Sequence, residues 1–90
     1  MMRPKDFNDL AEKLKAISHP ARLCIVCGLM DHPCNVTDMH HCLEMPQSTL
    51  SQHLSKLRAA GIIKGERKGA EIRYSLSDEK VRQLMTLFVT

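Results

Sequence analysis

The sequence predicts a mainly α-helical chain with one two-stranded β-hairpin, in the order helix, helix, helix, helix, hairpin, helix. Three observations predict it. Five stretches carry helical spacing of apolar residues, three of them with capping residues at their starts. The third and fourth helices are separated only by a tight turn before Pro46. Behind the fourth, Ile72, Tyr74 and Leu76 alternate with Glu71, Arg73 and Ser75, the period of a half-buried strand.

The first helix, over residues 5–17, places Phe7, Leu10, Leu14 and Ile17 on one face. Ser18-His19-Pro20 restarts the chain, with Ser18 read as the N-cap and proline in the first turn. The second helix runs to about Met30, with Leu23, Val26, Cys27 and Met30 as its inward stripe, until Asp31-His32-Pro33 breaks it. Asn35-Val36-Thr37-Asp38 reads as a cap with a carboxylate three residues on, opening a third helix that ends near Leu43. Pro46 opens a fourth helix lasting to Ala60, which Gly61 stops. Gly69 turns the hairpin. Ser77-Asp78 caps a last helix that carries Val81, Leu84, Met85 and Phe88 on one side.

Ninety residues allow a single domain over 1–90 with a small core. Phe7, Tyr74 and Phe88 are the only aromatics, so Leu, Ile, Val and Met must fill it, and sharing a core across a homodimer is a natural remedy. No stretch is long and apolar enough to span a membrane, and the N-terminal residues lead into an amphipathic helix and not an apolar signal core. A cytoplasmic location is expected. There the four cysteines read as free thiols or ligands and not as a disulfide framework.

Charge is unevenly placed. Residues 1–45 hold five Lys/Arg against six Asp/Glu, whereas residues 46–76 hold six against two. The positive field therefore gathers on the fourth helix and the hairpin, where a polyanion would be met. Helices three and four with their tight turn read as a helix-turn-helix, and the hairpin as its wing.

The fourth helix reads Pro46-Gln47-Ser48-Thr49-Leu50-Ser51-Gln52-His53-Leu54-Ser55-Lys56-Leu57. Leu50, Leu54 and Leu57 form the inward stripe. The outward face is rich in short hydroxyls and amides where an ordinary solvent face has Glu and Lys. Such side chains both donate to and accept from base edges and phosphates, as a helix in the major groove of double-stranded DNA must. Gln47 and Gln52 are the candidates for base contact; Ser48, Thr49, Ser51 and Lys56 are candidates for holding phosphates. Lys64, Arg67, Lys68 and Arg73 of the wing, with Gly65 and Gly69 allowing close approach, would meet flanking DNA. His53, bordering the leucine stripe, reads as a hydrogen-bonded structural histidine.

These segments carry a family resemblance. His19-Pro20-Ala21-Arg22-Leu23, Pro46 to Leu54, Leu57-Arg58-Ala59-Ala60-Gly61-Ile62-Ile63 and Ile72-Arg73-Tyr74-Ser75-Leu76 resemble the ArsR-type (ArsR/SmtB) bacterial repressors over nearly the whole chain. The resemblance implies a winged-helix homodimer paired through its first and last helices, bound to an inverted-repeat operator and released by an inducer.

The inducer sites of that family are matched only in part. Where the arsenic/cadmium type has a Cys-Val-Cys-Asp-Leu-Cys run, this chain has Asn35-Val36-Thr37-Asp38-Met39-His40. Where the zinc type has Asp-x-His in the last helix, Asp78 is followed by Glu79 and Lys80, and Thr90 is reached before a second pair of ligands. A thiol-sensing type has one cysteine in helix two, which Cys27 matches, and one in the last helix, which has no counterpart. Cys24 is the helical neighbour of Cys27; the two are the candidate thiol sensor for reactive sulfur or oxidants, the alternative being that Cys27 is simply a small core residue. Cys34, His40, His41 and Cys42 are residue types that suit zinc or another thiophilic ion, although helix three would separate the cysteines by about 12 Å.

No glycine-rich phosphate loop and no nucleophile with an evident base is present, so an enzyme is not expected. The alternatives are a winged-helix protein-interaction module and a thiolate metal-binding protein.

Overall fold

The structure, a computed structural model, describes residues 2–89. After a 3-10 turn at Pro4–Phe7 come α1 (Asn8–Ile17), α2 (Pro20–Asp31), β1 (Cys34–Asn35), α3 (Val36–Leu43), α4 (Gln47–Ala59), β2 (Ile63–Lys68), β3 (Glu71–Leu76) and α5 (Glu79–Phe88). The expected helix order and hairpin are present. The sheet, however, has three antiparallel strands in the order β1-β3-β2, not two. Cys34 and Asn35 pair with Tyr74 and Arg73, so the residues that open α3 are hydrogen-bonded into the wing.

One core unites these layers. Leu50, Leu54 and Leu57 of α4 are at most 2% exposed and share one core with Ile25, Val26 and Leu29 of α2, Met39 of α3, Ile62, Ile63 and Tyr74 of the wing, and Val81 and Met85 of α5. Each fully buried Leu or Ile contributes roughly 1.5–3 kcal/mol relative to exposure, so the α4 leucine stripe is what fixes the helix in place.

Two helices present other faces than their periodicity predicts. In α2 the buried residues are Ile25, Val26 and Leu29, while Leu23 is exposed and Cys27 and Met30 are half-buried. Apolar residues surround this helix almost completely, so periodicity cannot choose its inner face. In α1 only Ala16 and Ile17 are buried; Phe7, Leu10 and Leu14 stand 42–50% exposed. Leu23, Leu87, Phe88 and Val89 are exposed as well. Leu10, Leu14, Ile17, Val81 and Leu84 line a groove between α1 and α5, and Ile17 and Leu84 also line a second groove with Leu23, Cys24, Cys27 and Phe88. The two grooves form one apolar surface across α1, α2 and α5.

The N-cap of α2 is His19, whose Nδ1 accepts the Ala21 amide at 3.1 Å, in place of the expected Ser18. At the other end, the Arg82 guanidinium donates to the Met30 carbonyl at 2.8 Å, satisfying an acceptor at the end of α2. Gly69 lies at φ 66° in a two-residue turn between the paired Lys68 and Glu71, the conformation that favours glycine. Gly65 is required by the protein's own packing. A Cβ there would stand 2.9 Å from Ile72 Cγ2 and 3.2 Å from Tyr74 Cε1.

Candidate nucleic-acid interface

The turn between α3 and α4 is built from specific contacts. Glu44 takes a left-handed conformation, φ 52°, and its amide donates to the His40 carbonyl at 3.2 Å. His40 Nδ1 lies 2.7 Å from the Met45 carbonyl, an acceptor only, so the imidazole donates. Pro46 then enters α4, and its carbonyl accepts the first helical hydrogen bond, from Leu50, at 3.0 Å. At the start of α3, Asn35 Oδ1 accepts the Asp38 amide at 2.8 Å while Asn35 Nδ2 donates to Glu71 Oε2 at 3.0 Å. One side chain thus caps α3 and joins it to the wing.

With the leucine stripe buried, Gln47, Ser48, Thr49, Ser51, Gln52 and Lys56 all project from the protein as exposed side chains. Lys64, Arg67, Lys68 and Arg73 are exposed along the wing. All ten sequence-predicted contact residues therefore lie on the surface of α4, β2 and β3.

The wing is less cationic than its lysine and arginine content implies, and the residue responsible is Glu66. Its carboxylate lies 3.9 Å from both the Lys64 and Lys68 ammonium groups and stands opposite Arg73 in the ladder. Lys68 also faces Glu71. Arg67 faces Ile72 and forms no ion pair among the described residues. The sequence signal was available: residues 64, 66 and 68 fall on one face of a strand.

His53 is half-buried, accepts a hydrogen bond from Arg22 Nε at 3.1 Å and stacks at 4.7 Å against His19. Its pKa is lowered by burial, with His19 and Arg22 adding to the effect.

The cysteines are four free thiols, with Cys24 and Cys42 exposed and Cys27 and Cys34 half-buried. Cys24, Cys34 and Cys42 line one cleft of about 210 Å³ between α2 and α3. Burial pushes the Cys34 thiol up, and the charges of Asp38 and Cys42 push it further. Among the described residues no three or more His, Cys, Asp or Glu side chains are arranged to hold a metal ion. The expected assembly of Cys34, His40, His41 and Cys42 does not form: His40 is turned to the Met45 carbonyl and His41 is exposed on α3.

A helix-turn-helix with a hairpin folded against it, and a polar, cationic outer surface, defines a winged-helix regulator. Residues 19–64 match the bacterial regulatory protein, arsR family, and the chain belongs to that family. It is 46% identical over 80 residues to the transcriptional repressor PagR of Bacillus anthracis, spanning 88% of this chain and 80% of that protein. It is 37% identical over 86 residues to the biofilm growth-associated repressor of Xylella fastidiosa, 96% of this chain and 75% of that protein. Among solved structures, HlyU from Vibrio cholerae superposes with a TM-score of 0.89 at 32% identity, over 96% of this chain and 94% of that one. No helix among the described residues is long and apolar enough to cross a membrane.

Proposed function

We propose that this chain is a cytoplasmic repressor that binds an inverted-repeat operator in double-stranded DNA as a homodimer, by binding and not by catalysis, with residues 1–90 acting as one DNA-binding domain. The observation that carries the reading is the outer face of α4. Gln47, Ser48, Thr49, Ser51, Gln52 and Lys56 are all exposed over a rigidly buried leucine stripe, and their side chains form no hydrogen bonds within the described protein. Such a face has its donors and acceptors free for base edges and phosphates. Gln47 and Gln52 read bases; the hydroxyls and Lys56 hold phosphates; Lys64, Arg67, Lys68 and Arg73 reach flanking DNA. Arg67, without an acidic partner, is the strongest of the four.

The apolar surface across α1, α2 and α5 is the homodimer contact. Leu10, Leu14, Leu23 and Phe88 stand exposed together on it, and an exposed apolar surface of this kind marks an interaction site. Cys24 and Cys27 line this surface, so a thiol-reactive inducer that adds bulk to either would press on the packing between subunits. That placement favours the thiol over a metal as the inducer site.

The test is a salt titration of binding to a duplex selected by the protein from a randomised pool. With about three cations per subunit engaged in a dimer, log K should fall with log salt at a slope near −5. Binding that is weak and insensitive to salt would refute the reading in favour of a protein-interaction module. Leu14→Asp should yield monomers in sedimentation and abolish tight binding; a Leu14→Asp dimer would refute the proposed contact.

A further inference from the structure

Arg22 joins three helices at a point directly behind the DNA-facing surface. Its Nη1 donates to the Ala16 carbonyl at the end of α1, at 3.2 Å, and its Nε donates to His53 Nδ1 on α4, at 3.1 Å. His53 lies between Gln52 and the buried Leu54, so the Arg22 contact ties α2 to the helix that carries Gln52. His19 packs on His53 with ring centroids 4.7 Å apart and an interplanar angle of 52°.

Both imidazoles use Nδ1 as an acceptor: His19 for the Ala21 amide, His53 for the guanidinium. An arginine is always a donor, so this hydrogen bond exists only while His53 Nδ1 is unprotonated. A proton there would turn a donor–acceptor contact into two opposed donors and set a second cation against the guanidinium. The groups facing the imidazole are His19 and Arg22 of α2. Glu12 and Lys15 of α1 and Lys56 of α4 line the adjoining cleft with Arg22, so one carboxylate stands among several cations there. His40 and His32 are differently placed. Each has its Nδ1 beside a backbone carbonyl, of Met45 and Pro33 respectively, a contact that protonation preserves.

We propose that Arg22 and His53 form a positioning joint for the DNA-reading helix that holds only with a neutral imidazole, so that acidification releases the operator. The proposal rests on the reading of α4 as the DNA-reading helix. Burial, His19 and Arg22 all lower the His53 pKa, so the joint stays closed at neutral pH and opens below the usual histidine range. The direction is diagnostic. Protonating surface histidines adds positive charge and strengthens contact with phosphates, so the general electrostatic effect of acid is the opposite one.

The experiment measures the affinity of the full chain for a duplex selected at about pH 8, and for an unrelated duplex, between about pH 7.5 and pH 4.5. The selected duplex should bind about tenfold or more weakly at the acid end, while the unrelated one binds as well or better. His53→Asn presents an amide oxygen where Nδ1 lies and cannot be protonated. It should retain most of the affinity at pH 7.5 and lose the acid step, whereas Arg22→Gln should bind weakly throughout. Ring-nitrogen NMR should show His53 as the Nε2–H tautomer, titrating below the usual histidine range. An acid step unchanged in His53→Asn, a wild-type affinity independent of pH, or a loss of binding that coincides with global unfolding by circular dichroism would each overturn the joint. Failure to enrich any duplex at pH 8 would instead overturn the DNA-reading function, and the joint with it.

Discussion

Lys13 and Asp78, sixty-five positions apart, meet at 2.6 Å and tie α1 to the start of α5. Asp78 Oδ2 accepts from the ammonium, while Oδ1 accepts the amides of Lys80 and Val81 at 3.0 and 3.1 Å. One carboxylate therefore caps α5 and orients it against the helix beside which its apolar surface lies open. The Asp78 side chain is 8% exposed and the Lys13 side chain 40%, so the two partners are not equivalent. Asp78→Ala removes the cap and should cost about 1–2 kcal/mol in thermal or urea unfolding. Lys13→Met removes a half-solvated partner and should cost less than about 1 kcal/mol. Equal losses would show that the ion pair, not the cap, dominates.

The same carboxylate predicts an acid limit to stability. The hydrogen bond from Lys13 holds its pKa below the ordinary value of 3.8, outweighing the burial that opposes it, with the Val81 and Lys80 amides assisting. In the unfolded chain the group takes up its proton first as pH falls. Stability contributed by Asp78 is thus present above 3.8 and lost on acidification through the lower, folded value. Asp78→Asn should flatten that part of the unfolding profile below about pH 4, and an unaltered profile would contradict the assignment.

Gly65 gives a sharper stability prediction. A single methyl at this position meets Ile72 at 2.9 Å and the Tyr74 ring at 3.2 Å, and the tyrosine is buried against the core. Gly65→Ala should destabilise by about 1–3 kcal/mol, as overpacking does, and should disturb the β2–β3 amide resonances locally. Gly65→Ala combined with Ile72→Ala should cost less than the sum of the two single substitutions, because the nearest contact is removed.

How far the sequence could be read depended on whether a segment offers one solution or several. The α4 stripe does: Leu50, Leu54 and Leu57 are the only large apolar residues between Gln47 and Arg58, so the polar face and its contact candidates follow at once. The α2 helix does not, because Leu23, Ile25, Val26, Cys27, Leu29 and Met30 satisfy more than one inner face. The α1 stripe was correctly grouped, yet most of it faces outward, since periodicity finds an apolar face without saying what covers it. Strand β1 is two residues long and shows no period at all. The His19 cap was hidden because a serine one position earlier has the more familiar side chain for that task. The Arg22–His53 bond joins positions thirty-one apart, and nothing local in either helix predicts it.

Glu66 bears most directly on DNA binding. It lies within 3.9 Å of two wing lysines and opposite Arg73, so it lowers the field that the wing offers a phosphate backbone. These pairs are exposed and loose, and each is worth well under about 1 kcal/mol to stability. Glu66→Gln should therefore leave the melting temperature nearly unchanged. Its effect on DNA should be larger, because the lysines then meet phosphates without first leaving a carboxylate. Affinity for any duplex should rise about threefold to tenfold at low salt, with a steeper salt dependence. Arg67→Ala should weaken all duplexes alike and make the dependence shallower, whereas Gln52→Ala should reduce the preference for the selected sequence without changing the slope. If Glu66→Gln weakened binding, the carboxylate would have to be ordering the wing, and its lysines would not be the groups that meet the phosphates.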